Sequence, residues 1–93
     1  MTVIRSFRDK GLRELFERGK SGKVRPDLRE RCVRRLDVLH QASVLWDLDI
    51  PGFSFHALRG MPKRHSIHVN GPWCITFEWV EGEAWRVDLE QYH

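Results

Sequence analysis

The chain closes on Gln91-Tyr92-His93, and a single histidine, His56, sits in the segment Phe55-His56-Ala57-Leu58-Arg59-Gly60, with Lys63 and Arg64 close behind. Histidine gains and loses a proton near neutral pH, so it can act as acid or base with little tuning. Arginine grips a phosphate through a planar fork of donors; lysine does so as a point charge. A histidine, a cationic loop of Arg59, Lys63 and Arg64, and a terminal Tyr92-His93 gathered on one surface would suit attack of a ribose 2′-hydroxyl on the adjacent phosphate. That reaction needs a base, an acid and charge stabilisation, but no metal. Each piece also has a plainer reading: His56 as a half-buried strand histidine satisfied by a backbone carbonyl, and Tyr-His as an ordinary polar chain end.

Other chemistries have weaker support. His65 and His68 are three apart, and in a strand an odd spacing puts them on opposite faces, so they cannot chelate one ion without a bulge. There is no Cys-x-x-Cys or His-Glu-x-x-His pattern and no glycine-rich phosphate loop. Cys74 lies between large apolar residues, where a thiol is usually an inert small hydrophobe. Neither a metal nor a cofactor is expected.

The elements that must position these groups follow from composition and pattern. At 93 residues the chain is expected to form a single domain, residues 1–93. Its first sixteen residues are too charged for a leader peptide, and no apolar run approaches a membrane span. Cys32 and Cys74 read as free thiols of a reducing, cytoplasmic setting. Net charge is +3, but residues 1–35 carry 12 Lys and Arg against 5 Asp and Glu, and the remainder is acidic. A basic first third fits a polyanionic partner such as nucleic acid, and fits equally a helix surface charged for solubility.

Val3-Ile4 with Phe7 opens as a short strand. Asp9 is placed to cap a helix over about 10–18, which Gly19 ends. A basic connector, residues 19–25, contains Lys23. Pro26 and Asp27 start a second helix to about Ala42, with Leu28, Cys32, Leu36 and Leu39 as one buried stripe beside Val33. Arg31, Arg34 and Arg35 fall off that stripe and should be solvated, as a phosphate-facing patch or as plain surface. From Phe53 the period becomes two, giving strands at 53–58, 65–70, 73–79 and 84–89. Asn70-Gly71 and Glu81-Gly82 are turns, so the last three strands form an antiparallel meander. Alternation sends Ile67, Val69, Trp73, Ile75, Phe77, Trp79, Trp85, Val87 and Leu89 to the core. Ser66, His68, Asn70, Cys74, Thr76, Glu78, Arg86 and Asp88 go to an open polar floor. The fold class is α+β, two N-terminal helices on one face of a small twisted, mainly antiparallel sheet.

Taken in order, Ile4-Arg5-Ser6-Phe7, Lys10-Gly11-Leu12, Leu15-Phe16-Glu17-Arg18-Gly19, Leu45-x-x-Leu48, Pro51-Gly52 and His56-Ala57-Leu58-Arg59-Gly60 form a recognisable series. It continues through His65-Ser66-Ile67-His68-Val69-Asn70 and Trp73-x-Ile75-Thr76-Phe77 to Tyr92-His93. This series resembles the HigB toxins of the RelE-like superfamily. The resemblance implies the fold just argued and a ribosome-dependent endoribonuclease that cuts mRNA in the A site. It also implies a helix-turn-helix antitoxin, HigA-like, through which alone operator DNA would be met. By position, His56, Tyr92 and His93 match catalytic residues of the family, and Arg59 matches a phosphate-facing cation. Gln91 stands where the family usually has Asp, and Cys74 where it usually has Arg. A neutral amide cannot act as a base and a thiol cannot replace a guanidinium, although Arg86 or Arg64 could substitute in space. The resemblance therefore implies His56, Gln91, Tyr92 and His93 as catalytic, and Arg59, Lys63, Arg64 and Arg86 as holding RNA. Lys23, Arg31, Arg34 and Arg35 would face the ribosome. Two other readings stand beside it: a weakened homologue that acts mainly by binding antitoxin, and a relative of the gyrase-poisoning ParE toxins.

Overall fold

Asp9 caps the first helix as its position predicts: its carboxylate accepts the Leu12 N–H at 2.8 Å, and α1 runs Lys10–Arg18 to Gly19, whose φ of +78° is the left-handed stop that glycine supplies. Helix α2 is Pro26–Gln41, with Leu28, Cys32, Leu36 and Leu39 buried in one stripe. A 3-10 turn, Leu45–Leu48, leads into strands β1 (His56–Ala57), β2 (His65–Asn70), β3 (Trp73–Val80) and β4 (Glu83–Gln91). These pair in chain order as an antiparallel sheet. The molecule, a computed structural model, is described for residues 3–92; His93 therefore lies outside the described residues. No helix among them is long and apolar enough to cross a membrane.

One hydrophobic cluster joins the helices to the sheet. Leu12, Leu28, Leu36 and Leu39 meet Ile67, Val69, Ile75, Phe77 and Val87, with Ile4, Leu48 and Phe53 closing its margins. Both cysteines are free and buried. Burial pushes the Cys32 thiol up to about 11, which keeps it protonated and inert.

Three expectations need correction. The first strand is two residues, not six, because Ser54 takes φ +45° and breaks the extended run; Phe53 turns into the core instead. The segment 3–8 makes isolated parallel bridges to β4, Ile4 to Ala84 and Phe7 to Val87, and no strand of its own. Trp85 does not join the core. The β3–β4 register shifts between Thr76 and Glu78, with Arg86 at φ +50°, so Ala84 and Val87 both point inward and Trp85 pairs opposite Glu78 on the polar side. This is a β-bulge, one extra residue on β4, and the Ser6 hydroxyl accepts the Arg86 N–H that the bulge frees.

Arg35 is the fourth correction. Expected on a solvated basic face, it is buried. Its Nε donates to the His68 carbonyl at 2.5 Å, and the guanidinium lies 4.8 Å over the Phe53 ring. Lone carbonyls near a bulge invite such a donor: β2 and β3 shift register between His68 and Asn70, and Arg35 fills the gap. It is a structural cation.

Strand alternation does separate the two β2 histidines. His65 pairs with Phe77 on the core side and stacks between Phe55 and Phe77, ring centroids 5.8 and 5.7 Å away. His68 pairs with Cys74 on the polar side, its Nε2 donating to the Gly71 carbonyl.

Arg35→Ala should cost about 3 kcal/mol in urea unfolding, from a lost charged hydrogen bond and a desolvated cation–π contact. Arg34→Ala removes the same charge from an exposed pair with Glu30 and should cost under about 0.5 kcal/mol. Equal effects would return Arg35 to the surface patch. Burial, with the Lys63 cation second, holds the His65 imidazole below its ordinary value near 6.5. As pH falls, the unfolded chain therefore takes that proton first, so the stability present above about pH 6.5 is lost below it. His65→Phe keeps the ring stack and should flatten the fall in urea midpoint between pH 7.5 and 5.5; an unchanged slope would contradict this assignment.

Candidate active site

A cleft of about 420 Å³ opens over the polar side of the sheet, lined by Arg8, Arg59, Arg64 and Tyr92 with Leu58, Gly60, Met61 and Pro62. The loop 58–64 builds one wall. Its ends are clamped by the Leu58 N–H donating to the Arg64 carbonyl at 2.8 Å, and Gly60, at φ +109°, makes the turn that a side chain would strain. The exit of β4 builds the other wall: the Tyr92 N–H donates to the Pro72 carbonyl at 2.7 Å, which ties that residue to the β2–β3 turn.

Arg64 is the hub. One terminal nitrogen donates to Glu78 Oε2 at 3.1 Å; the other donates to the Thr76 hydroxyl and to the Arg86 carbonyl, each at 2.9 Å. Arg86, re-aimed by the bulge, donates to Glu78 Oε1 at 3.0 Å, so one carboxylate carries two guanidiniums. Thr76 in turn donates to Glu90 Oε2, and the Tyr92 hydroxyl donates to Glu90 Oε1 across a long 3.5 Å. A continuous polar chain therefore runs Arg86, Glu78, Arg64, Thr76, Glu90, Tyr92. Burial first, and the Glu90 carboxylate second, raise the Tyr92 phenol above its ordinary value. At neutral pH it is a donor, not a phenolate base.

Arg8 reaches the site from the N-terminal segment and pairs with Asp88 at 3.6 Å. Burial is the main cause that raises the Asp88 carboxyl, with Glu90 adding to it and Arg8 opposing it. Arg59 also lines the cleft, and Lys63 lies exposed in the same loop; among the described residues neither makes an ion pair.

His56 shares the cleft's side of the sheet without lining it. The register His56–Ser66, Ser66–Thr76, Thr76–Asp88 sets one row across four strands, and directly paired residues of an antiparallel sheet point to the same face. Two strand spacings put His56 about 10 Å from Thr76. Its Nδ1 stands 2.8 Å from the Ser54 carbonyl. A carbonyl only accepts, so Nδ1 carries the proton and the neutral ring keeps its lone pair on Nε2, free to take a proton.

The expected residues are thus only partly assembled. Arg59, Arg64 and Tyr92 converge; His56 and Arg86 flank them. Gln91 pairs with Trp73 and, one residue from Glu90, points to the other side of the sheet. Cys74 is on the polar side but buried, its thiol toward the Pro72 carbonyl. Of the expected basic surface, Arg31 is exposed, Arg34 is paired with Glu30, and Lys23 is paired with Glu14. Arg8 and Glu90 were not singled out from the sequence. Glu90 had a signal, since it shares parity with Asp88 and Tyr92 on one strand; Arg8 had none, because its place depends on the bridge of the N-terminal segment to β4.

Residues 5–93 match the family model described as the RelE-like toxin of type II toxin–antitoxin system HigB. The chain is 34% identical over 92 residues to Endoribonuclease HigB of Proteus vulgaris, covering 98% of this chain and all of the relative. It is 35% identical over 89 residues to Toxin HigB-1 of Vibrio cholerae serotype O1, covering 92% of this chain and 94% of that one.

The Arg64–Glu78 pair is nearly closed to solvent, 11% and 9% exposed, whereas Arg86 is 57% exposed. Glu78→Ala leaves the Arg64 charge without its carboxylate and should cost about 3 kcal/mol in urea unfolding. Arg86→Ala should cost under about 1 kcal/mol. The reverse order would show that the exposed half of the triad carries the stability.

Proposed function

The chain belongs to the HigB family of RelE-like toxins from type II toxin–antitoxin systems, and from that premise we propose that it is an endoribonuclease that cleaves mRNA in the ribosomal A site. What carries the reading is the cleft itself: three arginines, Arg8, Arg59 and Arg64, meet the Tyr92 phenol, with the His56 imidazole on the same side of the sheet. Cations that face one cleft suit a phosphodiester, because each oxyanion gains a charge-assisted donor. Arg59 and Lys63 hold the phosphate, with Arg64 braced behind them; Arg86 sits at the margin.

In the proposed reaction the substrate's 2′-hydroxyl attacks its own phosphorus and the 5′-oxygen leaves. His56 and His93 divide the proton transfers, with the lone pair on His56 Nε2 suited to accept one. Tyr92 orients the nucleotide, by its ring or by its hydroxyl. No metal enters this scheme. The whole chain acts as one toxin domain in the cytoplasm, where its ribosomal target lies, and Arg31, with Lys23 and Arg34 after exchange of their carboxylate partners, contacts ribosomal RNA. Membership of a type II system implies an antitoxin partner; a HigA-like helix-turn-helix protein would fill that role and carry the pair to operator DNA.

Cleavage of ribosome-bound mRNA should fall at least 100-fold in His56→Ala and in His93→Ala, the range expected for removal of an acid or base. Growth arrest on expression should be relieved in parallel. Wild-type toxicity in both variants, or DNA damage in place of translation arrest, would overturn the reading.

A further inference from the structure

The site holds a carboxylate that matching position 91 would never find. Gln91 is neutral and points away from the cleft, whereas Glu90 lies on the cleft's side, with Thr76 donating to one of its oxygens and Tyr92 to the other. Thr76 is fully buried and its hydroxyl is also held by Arg64, so Glu90 has one oxygen anchored to the rigid centre of the sheet. The second oxygen is left for the only phenol in the chain. We infer that Glu90 is the positioning residue of the active site: it orients the Tyr92 hydroxyl and couples it, through Thr76, to Arg64, the cation that braces the phosphate-holding loop.

This rests on the ribonuclease reading and deepens it. A tyrosine has two side-chain torsions to settle, and ordering them on substrate binding costs conformational entropy. The Glu90 contact at the hydroxyl, with the Tyr92 N–H held by the Pro72 carbonyl, narrows that choice in advance. With its hydroxyl hydrogen directed at Glu90, the Tyr92 oxygen turns its lone pairs outward, so toward RNA it accepts a hydrogen bond, as from a ribose hydroxyl. The chain needs no acid at 91 to do this, which argues against loss of function through that replacement.

The test uses the single tyrosine. The charged and titratable groups around Tyr92 are Glu90 on its own strand, Cys74 on the next, Arg59 and Arg64 from the loop, and Arg8 from the N-terminal segment. Tyrosinate absorbance, followed after a rapid pH jump so that ionisation is read before alkaline unfolding, should appear at lower pH in Glu90→Gln than in the wild type. In ribosome-bound mRNA cleavage, Glu90→Gln and Tyr92→Phe should each lower kcat about 10-fold with KM unchanged. The double variant should be no slower than either, and Glu90→Asp should recover part of the loss. If Glu90→Gln does not fold, Thr76→Val breaks the same chain from its anchored end and should shift the tyrosinate in the same direction. An unmoved tyrosinate, or additive losses in the double variant, would overturn the role of Glu90. A tyrosinate shifted by Glu90→Gln, together with a wild type that cleaves no mRNA, would sustain the Glu90–Tyr92 coupling and end the ribonuclease reading.

Discussion

Everything around the cleft depends on where one guanidinium is held. Arg64 ends the loop that follows the first strand, and its side chain reaches across β3 to Glu78 and Thr76 and onward to the Arg86 carbonyl of β4. One planar group thus pins a loop and two strands together. Only an arginine has enough donors in a fixed plane to do so; a lysine would reach one of these acceptors as a point charge. The cost of drawing that cation out of water is offset by Glu78, which is why the pair is nearly closed to solvent while its third member, Arg86, is not.

Charge in this protein has three separate uses, and position in the fold distinguishes them. Arg35 and Arg64 are structural cations, one capping a stray strand carbonyl and the other bracing the site. Lys23, Arg25 and Arg34 sit in exposed pairs whose contribution to stability is small and easily exchanged for another anion. Arg59 and Lys63 have no carboxylate partner among the described residues, which leaves their donors open on the loop. A count of basic residues in the first third of the chain cannot separate these uses, since burial and pairing decide them.

The bulge on β4 links the fold to the chemistry. By inserting one residue opposite Phe77 it changes the parity of the strand, moving Trp85 out of the core and turning Arg86 toward Glu78. Beyond the bulge, Asp88, Glu90 and Tyr92 fall on the polar side. An unbroken alternation read from Trp85 sends Arg86 and Asp88 to that side correctly, but it does so only because the strand was entered one residue out of phase.

Local rules were legible in the sequence. The Asp9 cap, the Gly19 stop, the α2 stripe, the two turns and the order of the meander each depend on residues within a turn or a strand of one another, and the structure follows them. His56, Arg59, Arg64 and Tyr92 stood out as candidates because few side chains move protons or hold phosphates, and the structure brings Arg59, Arg64 and Tyr92 to one cleft. Tertiary structure decided what needs a partner far along the chain: the burial of Arg35 under strand β2, the arrival of Arg8 beside β4, the left-handed Ser54 that shortens β1, and the bulge that takes Trp85 out of the core. Hydrogen bonds between residues tens of positions apart form only when the backbone has already folded, and a one-residue bulge reverses every side chain that follows it. No spacing in the linear chain records either event.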